Sequence, residues 1–142
     1  MSTPRESAIV AAALALPRAL ERGVHGEMLR SLYTPDAISI EHPNAISPHG
    51  GTHDVDHIIA ASDAGAALMR SQRYDIRDVV EVGDQVIFRY VWTGIVGVDR
   101  GPFTAGQEIV AHIAAFATIS DGRIARFETY DCYEPFAGRT QR

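Results

Sequence analysis

A single cysteine, Cys132, stands among the 142 residues. An internal disulfide is therefore excluded, and the thiol content fits a reducing cytoplasm. Positive charge is scarce: 13 Lys and Arg face 18 Asp and Glu, for a formal net charge of −5. Such a surface offers no basic stripe to neutralise a phosphate backbone, so nucleic acid is not expected as a partner. Long apolar runs are missing. The longest, residues 8–16, is too short to cross a bilayer, and no membrane span is expected. The first residues lack the charged-then-apolar-then-cleavage order of a secretory signal. The glycines at 94, 97, 101 and 106 follow neither a GxGxxG nor a Walker pattern and open no helix, so no phosphate loop is assigned. Repeats, low-complexity tracts and linkers are absent too, which points to one domain over residues 1–142.

What remains is an ordinary globular composition, 46% hydrophobic and 22% charged, enough to bury a core. Thr3-Pro4-Arg5-Glu6 reads as a helix start: Thr3 can cap, Pro4 suits the first helical position, and Glu6 completes a capping box. Ile9, Val10, Ala13 and Leu14 follow at helical spacing, Pro17 should kink or interrupt the helix, and Gly23 can close it. A short second helix is expected over about 25–33 and a third over about 53–69. Between them, residues 37–42 alternate as a strand, with Ile38, Ile40 and His42 on one face and Ser39 and Glu41 on the other. Glu41 is expected outside, as a solvated charge.

After the third helix, strands dominate. Residues 74–82 and 85–96 flank Gly83-Asp84, a hairpin signal that sets Val79 beside Phe88 and Asp78 beside Arg89. Phe88, Tyr90 and Trp92 then share a face. The strongest signal is Asp121-Gly122, between the alternating runs 107–120 and 123–133. Asp-Gly suits a two-residue type I′ turn, which needs positive φ at both positions. An uninterrupted ladder from that turn pairs Phe116 with Phe127, Ala114 with Thr129, and His112 with Asp131. The opposite face, with Ile113, Ala115, Ala117, Ile119, Ile124 and Tyr130, is then the outer one. It is too apolar to leave in water comfortably, so a homodimer is expected. The order of helices followed by a meander predicts an α+β fold: a cone-shaped, curved antiparallel sheet closed by three N-terminal helices.

Three stretches carry a family resemblance: LYTPDAISIEHP (32–43), GDQVIFRYVWTG (83–94) and SDGRIARFETYD (120–131). The chain resembles the SnoaL-like, ketosteroid isomerase-like branch of the nuclear transport factor 2-like superfamily. Ketosteroid isomerases place a catalytic Asp in a Glu-Asp-Pro run that ends the first strand. Here that run is Glu41-His42-Pro43, so the resemblance puts His42 at the base position. The tyrosine of their first helix has no counterpart at Leu16-Pro17. Limonene epoxide hydrolases carry Trp then Asp on the last strand, at positions held here by Phe127 and Thr129. The fold is implied; neither specific activity is.

The candidate catalytic residues are thus His42, His112 and Asp131. A carboxylate that binds one imidazole nitrogen fixes the tautomer and frees the other nitrogen as a base. His112 and Asp131 could equally form a buried, self-satisfied polar pair, and His42 could be a strand-end histidine at the rim. Tyr90, Trp92, Phe116, Phe127 and Thr129 are the candidate substrate-binding residues, with Phe88 in the core. His53 and His57 have metal-ligand spacing, but steps of 100° set them opposite the Val55–Ile59 face. They are expected in solvent, and neither metal nor cofactor is assigned. The function expected is a cofactor-independent acid–base enzyme of isomerase, cyclase, dehydratase or hydrolase type. It would act on a small, largely apolar organic molecule. The alternative is a non-catalytic binding or oligomerisation domain of the same shape.

Overall fold

The computed structural model describes residues 6–136. Thr3 and Pro4, expected to start the first helix, lie outside that range. The helix α1, Ala8–Glu21, begins later than expected. Its cap is Ser7, whose hydroxyl accepts from the Val10 amide at 3.1 Å and so satisfies one orphan donor of the first turn. Glu6 precedes the helix and instead accepts two bonds from the Arg18 guanidinium, at 2.9 and 3.0 Å. Pro17 does not end α1; it sits inside the helix, buried with Leu14 and Leu16. The stop comes at Gly23, which takes φ +86°. There the amide of Gly23 donates to Leu20 O and that of Val24 to Ala19 O, both at 3.0 Å, the paired bonds of a Schellman motif.

A 3-10 helix, Gly26–Leu32, leads into β1, Tyr33–Glu41. A four-residue strand that the sequence did not reveal, β2 (Gly51–Asp54), precedes α2, Val55–Leu68. Asp54 caps α2 by accepting from the His57 amide at 2.9 Å, which starts the helix two residues beyond the expected His53. The remaining strands are β3 (Met69–Val82), β4 (Gln85–Val96), β5 (Glu108–Ser120) and β6 (Arg123–Tyr133). They form one six-stranded curved sheet in the order β2-β1-β6-β5-β4-β3. The sheet is mixed rather than wholly antiparallel as expected, because β1 lies parallel to β6.

The β3–β4 hairpin has the expected register, with Val82 opposite Gln85, Asp78 opposite Arg89 and Val79 opposite Phe88. The β5–β6 hairpin departs from expectation in an instructive way. The turn is the two-residue one, with φ +52° at Asp121 and +74° at Gly122, and Ile119 does face Ile124. The next pair, however, is Thr118 with Arg126, so Ala125 is an extra residue on β6. A bulge of this kind sets two residues against one and shifts every later pair by one place. Ala117 therefore meets Phe127, Ile113 meets Asp131, and His112 meets Cys132.

That shift decides which residues are inside. On β6 the concave face takes Ile124, Phe127, Thr129, Asp131 and Tyr133. On β5 it takes the odd-numbered set, and Ile113, Ala115, Ala117 and Ile119 are core residues rather than outer ones as expected. From β4, Val86, Phe88, Tyr90 and Trp92 point the same way. They share one apolar core with Ala13, Leu14 and Leu16 of α1, Leu29 of the 3-10 helix, and Val55 and Ile59 of α2. Phe88 is only 1% exposed at its centre.

Candidate functional site

The core does not fill the space between helices and sheet. A cavity of about 370 Å³ remains, bounded by Leu16, Pro17 and Leu20 of α1, by Ile58 and Ala61 of α2, and by the concave sheet face. Its volume is in the range that holds small organic molecules. Four of the expected substrate-binding residues line it: Tyr90, Trp92, Phe127 and Thr129. Phe116 does not. The bulge places it on the outer face, edge-on to Tyr130 with ring centroids 5.9 Å apart.

The three catalytic candidates separate. Asp131 lines the cavity. His112 is on the opposite face of the sheet, exposed, with Nε2 2.8 Å from Oε2 of Glu134. The expected His112–Asp131 pair therefore does not form, because the two residues lie one register place apart and point to opposite sides. His42 is also outside the cavity. It stacks on Tyr130 at 4.1 Å and 13°, with Nε2 2.6 Å from Oε2 of Glu128. Strand β1 is turned over relative to expectation, so that Ser39 and Glu41 line the cavity while His42 faces away.

Glu41 is held there by its own neighbourhood. The Asn44 side chain donates to Glu41 Oε2 at 2.9 Å and to the His42 carbonyl at 2.8 Å. Its oxygen in turn accepts from the amides of Ile46 and Ser47, at 3.0 and 2.9 Å. Gly50 closes the loop against β1 with φ +62°; a Cβ there would stand 2.4 Å from the Glu41 carbonyl oxygen. Only glycine meets both demands at once. His57 is exposed, as expected, and His53 is half-buried. Both line the cavity, stacked on one another at 3.9 Å and 7°.

Asp131 is the chemically distinctive group. Its Oδ1 is buried and has no hydrogen-bond partner among the described residues. Burial raises the carboxyl above its ordinary range, and the Glu41 carboxylate pushes the same way, against the Thr129 hydroxyl, which lowers it. The phenols of Tyr74, Tyr90 and Tyr133, all lining the same cavity, are pushed up by burial and stay protonated at neutral pH. The site thus combines an under-partnered acid with aromatic walls and neutral donors. Such an arrangement can take up or release a proton next to a bound apolar molecule, because a raised carboxyl is closer in proton affinity to a carbon acid.

A match to the SnoaL-like domain extends over residues 14–127, most of the described chain. The chain belongs to the SnoaL-like domain family. This places it in the nuclear transport factor 2-like superfamily, as the three sequence stretches implied. Several solved structures share the fold of this SnoaL-like protein. IdmH, a proposed polyketide cyclase from Streptomyces antibioticus, is 22% identical with a TM-score of 0.71, over 87% of this chain and 91% of that one. AclR, a proposed hydroxylase from Streptomyces galilaeus, is 15% identical with a TM-score of 0.73, over 92% and 83%. TerC, crystallised with polyporic acid, is 21% identical with a TM-score of 0.67, over 94% and 96%. At these identities the likeness is one of fold. No curated protein matches the SnoaL-like sequence. No helix among the described residues is long and apolar enough to cross a membrane.

Sequence reasoning missed Glu41, His53, His57, Gln72, Tyr74 and Tyr133, all of which line the cavity. One signal was available for β1. Ser39 and Glu41 alternate with Ile38 and Ile40, so either set was a candidate for the inside. For Gln72 no local signal exists, because its strand was expected to begin only at Tyr74.

Proposed function

We propose that this SnoaL-like protein is a cofactor-independent acid–base enzyme acting on a small, largely apolar organic molecule, with Asp131 as the proton-transfer group. The observation that carries the reading is the buried, unpartnered Oδ1 of Asp131 in an aromatic cavity of about 370 Å³. A core gains nothing from such an oxygen, and leaving it unsatisfied costs stability. Tyr90, Trp92 and Phe127 grip the apolar body of the substrate, and Thr129 steadies the carboxyl. The helices close the mouth of the cone. His42 and His112 take no part in the chemistry in this reading. The reaction class is a proton shift next to an activating carbonyl, of isomerase, cyclase or dehydratase type. TerC with polyporic acid shows a fold relative crystallised with a small organic ligand, which supports the same kind of ligand here.

The protein works in this reading as a cytoplasmic homodimer joined through the outer sheet face. There Tyr130 remains 45% exposed between His42 and Phe116. The enzymatic reading is tested with anthrone, a three-ring ketone whose methylene protons are acidic. In deuterated buffer the wild-type protein is expected to speed exchange of those protons. Asp131→Asn should lower the protein-dependent rate at least about 100-fold, the usual scale for a positioned general base. Equal rates in the two proteins would remove Asp131 from the chemistry.

A further inference from the structure

The cavity has a second directed polar group, on the same concave face as Asp131 but three strands away, at the β3 edge of the sheet. Gln72 of β3 lines the cavity, and its side-chain oxygen is doubly occupied. The indole N–H of Trp92 donates to Gln72 Oε1 at 3.0 Å and the hydroxyl of Tyr74 donates at 3.1 Å. An indole nitrogen can only donate, so the atom it meets must be the amide oxygen, and the orientation of the carboxamide is fixed. The Nε2 group then points elsewhere with two N–H donors. It forms no hydrogen bond among the described residues, and it is not a sealed, unsatisfied atom. The carboxamide is thus a set donor pair on a residue that borders both this cavity and a second hollow beside Leu20 and Met69.

We infer that Gln72 is the carbonyl-binding residue of this site, and that the substrate is a ring compound whose carbonyl oxygen and acidic C–H lie at opposite ends of one conjugated system. The inference rests on the cavity being the substrate site. The first half follows from the donor pair: an amide N–H₂ held by two neighbours accepts nothing and suits a carbonyl or enolate oxygen. The second half follows from placement. Gln72 pairs with Gly94 and Gly94 with Ile109, whereas Asp131 pairs with Ile113. The two residues are therefore three strands and four residues apart, about 14 Å in each direction on the backbone before the side chains reach inward. A carbonyl held by Gln72 leaves its own α-carbon beyond Asp131. The proton that Asp131 removes must be conjugated with the carbonyl across a ring. In that step the C–H bond breaks and its proton passes to the Asp131 carboxylate. The C–H electron pair moves through the ring, and the negative charge arrives on the oxygen at Gln72. Return of a proton from Asp131 to the same carbon, after exchange with solvent, restores the ketone with no other reactant.

The probes are anthrone, in which the carbonyl and the acidic methylene face each other across the central ring, and 9,10-dihydroanthracene, the same body without the oxygen. Binding is read by quenching of Trp92, the only tryptophan, and the carbonyl stretch of bound anthrone is read by infrared difference spectroscopy. Wild type should prefer anthrone about tenfold, as one good hydrogen bond gives, with the stretch shifted to lower frequency. Gln72→Met should erase both the preference and the shift while holding dihydroanthracene as before. Gln72→Glu keeps the oxygen that Trp92 and Tyr74 bind, and presents an acceptor in place of the donors; it should disfavour anthrone. Asp131→Asn should keep the preference and the shift while losing exchange. A preference or shift that survives both Gln72 changes, or that wild type never shows, overturns the assignment. Loss of the preference in the Gln72 variants, with exchange intact in Asp131→Asn, upholds Gln72 and refutes the acid–base role of Asp131 instead.

Discussion

Replacing Asp131 by Asn should make the protein more stable at neutral pH while disabling it. The carboxyl is raised first by burial, with Glu41 adding to the effect. A group raised in the folded state contributes its stability below the unfolded pKa and loses it as pH rises through the folded value. At pH 7 wild type therefore carries the cost of an ionised, partly desolvated carboxylate with one unpartnered oxygen. Asn keeps a polar atom at the unpartnered position and relieves only the partly desolvated charge, so the gain is small, about 1 kcal/mol. In a chain of this size that is roughly 3–5 °C in Tm. The assay is thermal unfolding of wild type and Asp131→Asn at a series of pH values. The gain should be full near pH 7 and shrink as pH falls, closing below the ordinary carboxylate range, where Asp131 is neutral in both states. A loss of stability at pH 7, or a gain independent of pH, would show that the Asp131 carboxylate carries no such cost.

Three further outcomes follow. Glu41→Gln removes the negative neighbour that raises Asp131, so the pH profile of anthrone exchange should move to lower pH, measured as the midpoint of its rising limb. Gly94→Ala would set a Cβ 2.5 Å from the Trp92 indole; the ring must move, and Trp92 emission and anthrone affinity should change together. Tyr130→Asp buries a charge at the outer face of the proposed dimer and should yield monomers by sedimentation, while a wild type that sediments as a monomer at micromolar concentration would dismiss the dimer.

The family, the α+β class and both hairpin turns were legible because local chemistry decides them. Gly83-Asp84 and Asp121-Gly122 can hardly be anything but turns, and the register of β3–β4 followed directly. The face of β6 was legible as well: Phe127, Thr129 and Asp131 line the cavity together. What failed was the step from a turn to a long ladder. A single extra residue, Ala125, reverses the side of every later residue of one strand relative to the other. Nothing local marks it, since alanine fits a bulge and a regular strand alike. Strand β5 gave weak counter-evidence, because both of its faces are apolar. Its even-numbered set does hold His112, Thr118 and Ser120, and its odd-numbered set is uniformly apolar from Ile109 to Ile119, which in retrospect favours the odd set as core. Strand β1 misled for the opposite reason. Its polar residues face in, against the usual rule, because they belong to a cavity rather than to packing.

In the proposed reaction the proton passes to Asp131, and neither His42 nor His112 takes part. Anthrone exchange followed from pH 3 to pH 9 decides it, in wild type, Asp131→Asn, and the double variant His42→Ala, His112→Ala. Wild type should show one rising limb with its midpoint above the ordinary carboxylate range, intact in the double histidine variant and gone in Asp131→Asn. A limb that disappears with the histidines and persists in Asp131→Asn would contradict it.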